Sequence, residues 1–342
     1  MKILLGISGG VDSAFAAKKL IDEGHFVEGA ILIMHEYSEL SSAREVAGSV
    51  GFCLHEIDCR ERFSEVVKEN FVCEYSHART PNPCIICNER VKFAVLYEYA
   101  VEHGFDAIAT GHYAKIVKLN FGDTTRYAVA SAADSRKDQS YMLYRLPQQV
   151  LAHLILPLGN MSKEEVREAS RLAGISSAER KDSQEICFLP NGGHAEYIES
   201  AVGKFPEGNF IDENGKVLGK HKGIIRYTVG QRKGLGIALG ERAFVTEINP
   251  ENNTVTLSSS ISGRRVVWIS DIVASGLLPS NDEAELMADV KIRYTAPLAL
   301  AKITLQGDKR ARLEFDKPVK CAPGQSAVVY KDGYVLFGGI IE

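Results

Sequence analysis

An apolar run, KILLGI over residues 2–7, leads straight into Ser8-Gly9-Gly10-Val11-Asp12-Ser13, followed by a helical pattern to about Glu23 that Gly24 stops. A buried strand, a glycine turn and a helix in that order commit the start of the chain to a βα unit. The pattern then repeats, with a strand over 26–33 (FVEGAILI), a helix over 39–50, a strand over 53–57 and a helix over 60–72. Such alternation predicts an α/β fold with a doubly wound parallel sheet. Pro81 and Pro83 interrupt it, and a helix resumes near Asn88, with Val91, Ala94, Val95 and Tyr99 spaced for one face. A short strand is expected over 106–110. Residues 113–119 and 126–131 flank Asn120-Phe121-Gly122-Asp123 as a hairpin. Ser162 and Glu165 form a capping box at the head of a helix over 162–173.

After about residue 190 the texture changes: glycine becomes frequent and helical periodicity fades. Short strands over 243–248 and 254–257 are split by the turn sequence Asn249-Pro250-Glu251-Asn252-Asn253, and from 265 the pattern is almost entirely β: 265–274, 284–294, 299–306, 310–316 and 326–331. Regular short strands suggest a small barrel or sandwich. Three parts are therefore expected: an α/β catalytic domain over 1–192, a small glycine-rich β module over 193–264 and a β-barrel domain over 265–342.

The 342 residues are 45% hydrophobic and 25% charged, which excludes a disordered, collagenous or coiled-coil chain. No apolar run approaches the ~18 residues of a membrane span. The apolar stretch before Ser8 is too short for a signal peptide, so the cytoplasm is the expected compartment. The net charge of −4 argues, as an average, against a nucleic-acid partner. The average hides a division. Residues 1–192 carry −5, whereas residues 215–242 hold 7 basic groups opposed only by Glu241. A basic, glycine-rich module beside an acidic domain suits local contact with a phosphate backbone.

The six residues from Ser8 to Ser13 offer two glycines for close backbone approach, two hydroxyls, an acid and a helix N-terminus, which together favour an anionic ligand. Asp12 is expected to cap the helix or help hold magnesium. The loop is neither a Walker motif nor a dinucleotide fingerprint. SGGVDS after a first strand resembles the loop of the N-type ATP pyrophosphatases, which transfer AMP to a carbonyl oxygen and release pyrophosphate. By that resemblance ATP is the cosubstrate.

Seven cysteines, an odd number widely spaced, do not make a disulfide scaffold. Cys53 and Cys321 read as structural. Cys84 and Cys87 lie in Thr80-Pro81-Asn82-Pro83-Cys84-Ile85-Ile86-Cys87-Asn88, a proline-stiffened loop leading into a helix. Near that helix's N-terminus the dipole is expected to lower the Cys87 thiol, with His77, Arg79, Arg90 and Lys92 adding positive charge. Cys187 follows Lys181-Asp182-Ser183-Gln184-Glu185-Ile186, close to Arg180. No second C-x-x-C or nearby histidine pair completes a zinc site.

The ordered set TPNPxxxCN, GHYA (Gly111–Ala114), KDQS (Lys137–Ser140), KDSQEICF (Lys181–Phe188), YTVGQRKGLGIA (Tyr227–Ala238) and IRY (Ile292–Tyr294) resembles the tRNA-specific 2-thiouridylase family over nearly the whole chain. The resemblance implies 2-thiolation of a wobble uridine in tRNA through an adenylated intermediate. It places ATP against Gly6, Ile7, Ser8, Gly9, Gly10, Val11, Asp12, Ser13, Leu32 and Gly111. Cys87 matches the family's nucleophile and Cys187 the cysteine that carries the persulfide. Asn82, Pro83 and Cys84 match the stretch that meets the target base. His112, Lys137, Asp138, Gln139, Arg293, Tyr294 and Gln325 match tRNA contacts. A carrier protein or desulfurase would supply sulfur, a Cys87–Cys187 disulfide would form and be reduced in each cycle, and a monomer is expected.

Two departures stand out. Cys84 replaces the aspartate of the best-known members, and the segment around His35–Ser42 is shorter than usual. Cys84, Cys87 and Cys187 together would leave one iron of a 4Fe–4S cluster open to sulfide, which makes a cluster the alternative route. A small-molecule ligase of the same superfamily is a further alternative; it would need no cysteine pair.

Overall fold

The fold is taken from a computed structural model, which describes residues 1–175, 186–189, 193–237, 240, 242–276, 285–307 and 309–342. The first part is a five-stranded parallel sheet built from β1 (Lys2–Gly6), β2 (Phe26–Ile33), β3 (Leu54–Asp58), β4 (Ala107–Thr110) and, named last in chain order, β7 (Leu154–Ile155). The strand order is β3-β2-β1-β4-β7, with Leu4 beside Glu28 on one flank and Ile108 on the other. Side chains alternate across a strand, and here both faces are covered. Ile3, Leu5, Val27 and Ile31 face α1 (Val11–Asp22) and the Lys163–Leu172 helix, while Leu4, Ala30 and Leu32 face two long helical runs over 60–76 and 83–102. The chain leaves β1 to one side and returns through β4 on the other, so the sheet's switch point lies between them. Ligands of open α/β sheets bind outside the strand ends at such a point.

Each long run contains one π-helical turn, Ser64–Lys68 in the first and Asn88–Lys92 in the second. The expected helix over 60–72 thus extends to Ser76. The helix expected to resume near Asn88 begins earlier, at Pro83, with Asn82 as N-cap and proline at the first helical position, where its missing N–H costs nothing. The capping box at Ser162 forms as expected: Ser162 Oγ accepts from the Glu165 N–H at 3.2 Å, and Glu165 Oε2 accepts from the Ser162 N–H at 2.7 Å.

The middle of the chain holds the helix His194–Val202 and a four-stranded sheet of order β10-β11-β8-β9, with β8 Gly208–Ile211, β9 Val217–His221, β10 Phe244–Asn249 and β11 Thr254–Ser258. Six antiparallel strands follow: β12 (Arg264–Val273), β13 (Glu285–Lys291), β14 (Ala299–Gln306), β15 (Arg310–Val319), β16 (Ser326–Lys331) and β17 (Tyr334–Ile341). Pairing of β12 with both β15 and β17 closes them into a barrel. The expected hairpin, β5 (Lys115–Phe121) with β6 (Thr124–Ala130), leaves its own domain's sheet and joins the barrel's, where Ala130 pairs with Tyr334. Strand β17 is absent from the sequence-based expectation. Its Gly338 and Gly339 weaken the strand signal, yet glycine is required at 338 because a Cβ there would sit 2.5 Å from the Tyr144 ring.

Tyr141 and Tyr144 are fully buried in this seam, donating to or sharing hydrogen bonds with Ser326 at 2.8 and 3.1 Å. Burying rings of this size contributes roughly 2 kcal/mol each. Arg145 spans the same seam, bonding Glu89 at 2.7 Å and Asp271 at 3.0 Å. No described helix is long and apolar enough to cross a membrane.

Candidate active site

At the switch point the chain folds Ser8–Ser13 into a closed set of bonds. The Ser8 N–H donates to Ser13 Oγ at 3.2 Å, the two hydroxyl oxygens are 3.3 Å apart, and Ser13 Oγ donates to the Gly10 carbonyl at 3.1 Å. Gly9 is in the left-handed region at φ +78°, and a Cβ there would lie 2.6 Å from Ser42 Cβ. Gly111, just after β4, is pressed against the same loop: its Cβ would be 2.9 Å from the Asp12 carbonyl carbon and the Ser13 nitrogen. Gly6 and Ile7 lead into the loop along β1, and the Ile7 N–H donates to the Ala30 carbonyl at 2.8 Å. Leu32 is buried near the adjacent end of β2. The N-cap of α1 is Gly10 without a side-chain cap, and Val11 opens the helix. The loop, the helix N-terminus and Gly111 thus converge on one spot suited to an anion.

Asp12 neither caps the helix nor stands open to a cation. Lys163 Nζ bonds its two oxygens at 2.8 and 2.7 Å, and the Tyr113 hydroxyl donates to it at 2.7 Å. An ammonium already occupies the magnesium-facing role, so Asp12 in this arrangement does not fit a magnesium ligand. Lys163 lies in no motif of the sequence, and Tyr113 enters there only as part of GHYA. Lys163 lies 151 residues away from Asp12 in the chain, and only the capping box that fixes the start of its helix hints at a defined position.

The thiols gather on the other side of β1 and β2. Because the helix begins at Pro83, Cys84 takes its second position and is exposed, whereas Cys87 falls at the fifth and turns into the core, 5% exposed, with its Sγ 3.8 Å from Met34 Sδ. The expectation of a lowered Cys87 thiol is therefore corrected. Burial pushes it up to about 12; Lys92 counters this, and charges on Cys187, Cys84 and Cys59 add to the rise. The dipole effect belongs to the first turn, and one turn further in desolvation wins. Cys187 remains exposed, and its thiol is also raised, by desolvation first and then by Cys84, against Lys92. Cys87 thus feels Cys187 and Cys84, a hundred residues apart in the chain, Cys187 feels Cys84, and Lys92 acts on both Cys87 and Cys187. All seven cysteines are free thiols. Residues 181–185 of the motif before Cys187, and Arg180, lie outside the described residues. Next to Cys87, Asn88 is buried; its Nδ2 donates to the Met142 carbonyl at 3.1 Å, and its Oδ1 has no partner among the described residues.

Asn82 Nδ2 lies 3.5 Å from Met142 Sδ, and Pro83 is buried behind it. The loop before them is pinned to the barrel: Gln325 Nε2 donates to the Thr80 carbonyl at 2.7 Å, and the Thr80 N–H donates to the Pro323 carbonyl at 2.8 Å. Gln325 therefore positions the loop. Asp138 is likewise committed. Its Oδ1 accepts from Ala132 and Ser140 N–H groups at 3.0 and 3.2 Å, and its Oδ2 accepts from the Ser140 hydroxyl at 2.9 Å. Gln139 Oε1 accepts from the Tyr113 N–H at 2.8 Å. His112, bonded to Thr110 Oγ1 at 2.8 Å and packed on Phe93, is pushed down to about 3 by desolvation and then Lys92, so its ring is neutral. Across the seam the barrel presents Tyr294, whose hydroxyl is raised by burial and Asp138 and lowered by Lys137. The exposed Arg293 donates to the Lys320 carbonyl at 2.8 Å. In the basic window, Lys216, Lys220, Lys222, Arg232 and Lys233 are exposed, whereas Arg226 is tied to Glu196 and Glu199, both at 2.7 Å.

A phosphate-type loop at the switch point of a parallel sheet, flanked by converging thiols, defines a nucleotide-dependent enzyme class with sulfur chemistry. Family models match the chain along its length. Residues 1–191 match the tRNA methyl transferase HUP domain, residues 195–259 the tRNA methyl transferase PRC-barrel domain, and residues 258–341 the aminomethyltransferase beta-barrel domain. The tRNA-specific 2-thiouridylase MnmA 1 of Clostridium tetani is 41% identical, covering 100% of this chain and 96% of its own. The tRNA-specific 2-thiouridylase MnmA of Treponema denticola is 40% identical, covering 100% and 98%. A 4-thiouridine synthetase solved with RNA and ATP aligns over 55% of this chain and 44% of its own, at 21% identity and a TM-score of 0.38. The chain belongs to the tRNA-specific 2-thiouridylase family.

Proposed function

We propose that this chain is an ATP-dependent tRNA-uridine 2-sulfurtransferase acting on a wobble uridine, with Cys87 and Cys187 as its catalytic thiols. What supports the reading is that Cys187 and Cys84 raise the Cys87 thiol while Lys92 acts against the rise at both Cys87 and Cys187. The uridine C2 carbonyl is a poor electrophile. Transfer of AMP from ATP to its oxygen releases pyrophosphate and turns that oxygen into a leaving group. Gly6–Ser13, with Gly111 behind and Leu32 at the adenine side, hold the nucleotide. Asn82, Pro83 and Cys84 border the base.

Exposed Cys187 receives a sulfur atom as a persulfide from a carrier protein or desulfurase. The terminal sulfur attacks C2 and AMP departs with the C–O bond's electrons. Cys87 then attacks the Cys187 sulfur; the S–S bond to the transferred sulfur breaks, 2-thiouridine leaves, and a Cys87–Cys187 disulfide remains for an external dithiol to reduce. Lys92 stabilises the Cys87 thiolate that this step needs. Lys137, Arg293 and Tyr294, with the exposed cations of 216–233, face the tRNA; His112, Asp138, Gln139 and Gln325 shape that surface from beneath. A cytoplasmic monomer is the matching assembly.

Exposed Cys84 supports a second reading. With Cys87 and Cys187 it would supply the third thiol to hold a 4Fe–4S cluster, which would offer an open iron to carry sulfide. Anaerobic purification, with iron, sulfide and visible absorbance measured against activity, separates the two: an active, iron-free preparation eliminates the cluster. The main reading is tested by AMP release and 2-thiouridine formation with and without tRNA. AMP release stimulated by a small molecule but not by tRNA would instead support a ligase.

A further inference from the structure

A second group of metal-type donors lies at the opposite end of the parallel sheet from the nucleotide loop. Glu28 is the third residue of β2 and His55 the second of β3, with Cys53 just before that strand. Glu28 is five residues from the end of β2 at Ile33, roughly 16 Å along the strand. Cys53 and His55 are two residues apart and so share one face. Gly29 pairs with Leu54, which sets Glu28 beside Cys53 on that face. A carboxylate oxygen of Glu28, the Cys53 sulfur and a His55 ring nitrogen all lie within 4.8 Å of one another. His55 Nε2 is 2.5 Å from Glu28 Oε2, and its Nδ1 is 3.0 Å from the Tyr99 hydroxyl. Cys53, expected to be structural, is exposed.

We propose that Glu28, Cys53 and His55 bind a zinc-class divalent cation. One thiolate, one imidazole and one carboxylate are the ligand types zinc accepts, and three protein ligands leave a fourth position for water. The group is not a plain hydrogen-bonded pair, because the thiol joins a histidine whose far nitrogen is already fixed. That is how outer partners orient a metal-binding ring. The bulk of the ring packs against Tyr99 and Phe105, which holds it over the strand. Binding displaces the His55–Glu28 hydrogen bond and releases the thiol proton. It would clip β2 to β3 under the C-terminal end of the 83–102 helix.

The test uses full-length protein carrying Cys84→Ser, Cys87→Ser and Cys187→Ser, so that the reactive thiols cannot bind the probe. Chelator-stripped and reduced, it is titrated with cobalt(II) alone and with zinc(II) alone. One equivalent should bind, with a thiolate-to-cobalt charge-transfer band. Adding Cys53→Ser, at an exposed position, should abolish the band, and Tyr99→Phe should weaken zinc binding about tenfold. No band in the starting variant, or a band unchanged by Cys53→Ser, overturns the proposal. Cys53→Ser in otherwise native protein should still thiolate tRNA, which keeps this outcome separate from the function proposed above.

Discussion

The nucleotide loop and the thiol pair lie at neighbouring strand ends but arrive there in opposite states. The loop is prepared: its hydroxyls bond each other, Gly9 and Gly111 leave no room for a side chain, and Asp12 is neutralised by Lys163. The thiol pair is held back: Cys87 is buried and protonated at neutral pH, with Lys92, among the described residues, favouring its thiolate over the resting thiol. The contrast suits the order of events. Adenylation must be ready when ATP and tRNA arrive, whereas a free thiolate in a resting enzyme would be exposed to oxidation before any sulfur had been loaded.

The largest expected effect separates the two halves outright. Cys87→Ser should lower 2-thiouridine formation at least about 10³-fold while AMP release stays near wild type; equal loss of both would merge the regions into one. Gly111→Ala strikes the other half. The added methyl meets backbone on its far side, so ATP binding should weaken about 10- to 100-fold, alongside roughly 1–3 kcal/mol of overpacking. Titrating ATP against pyrophosphate release measures it.

Next comes pH. With Cys87 raised to about 12, the thiolate fraction grows tenfold per pH unit well past neutrality, so the thiol-dependent rate should climb with pH where AMP release does not. Lys92→Ala should lower that rate several-fold at fixed pH. The sign for stability runs the other way. The unfolded thiol loses its proton near pH 9 while the folded one keeps it, so this contribution is full below about 9 and is lost as pH rises toward 12. Melting curves of wild type and Cys87→Ala should converge in that window. Smaller still, Lys220→Glu with Lys222→Glu should weaken tRNA binding about tenfold and flatten its salt dependence, read by filter binding. Ser162→Ala, which loosens the helix carrying Lys163, should cost about 1 kcal/mol.

Much of the loop was legible in the sequence because its chemistry is local: strand, glycines, hydroxyls and helix start fall within a dozen residues. The thiol site was legible only in part. Spacing identified Cys84 and Cys87, but the titration of Cys87 depends on which residue starts the helix. Pro83 rather than Asn88 does so, and that turns Cys87 inward. Contacts made across the fold, such as Lys163 on Asp12, Gln325 on Thr80 and Tyr113 on Gln139, leave no local pattern. Asp138 reads as a surface charge in KDQS yet is buried, because backbone N–H groups at Ala132 and Ser140 need an acceptor there.

The β5–β6 hairpin bears on how the chain comes to be assembled. Ala130 is made early, and its sheet partner Tyr334 only after the whole central module and five strands of the barrel. During vectorial synthesis the hairpin must wait with an open edge while everything between is translated. The Gln325 tether on the Thr80 loop waits equally long. A nascent chain therefore finishes its base-facing loop last, and premature termination between the Lys163–Leu172 helix and β16 should yield a fragment that holds the nucleotide loop but lacks the Gln325 tether on the base-facing loop.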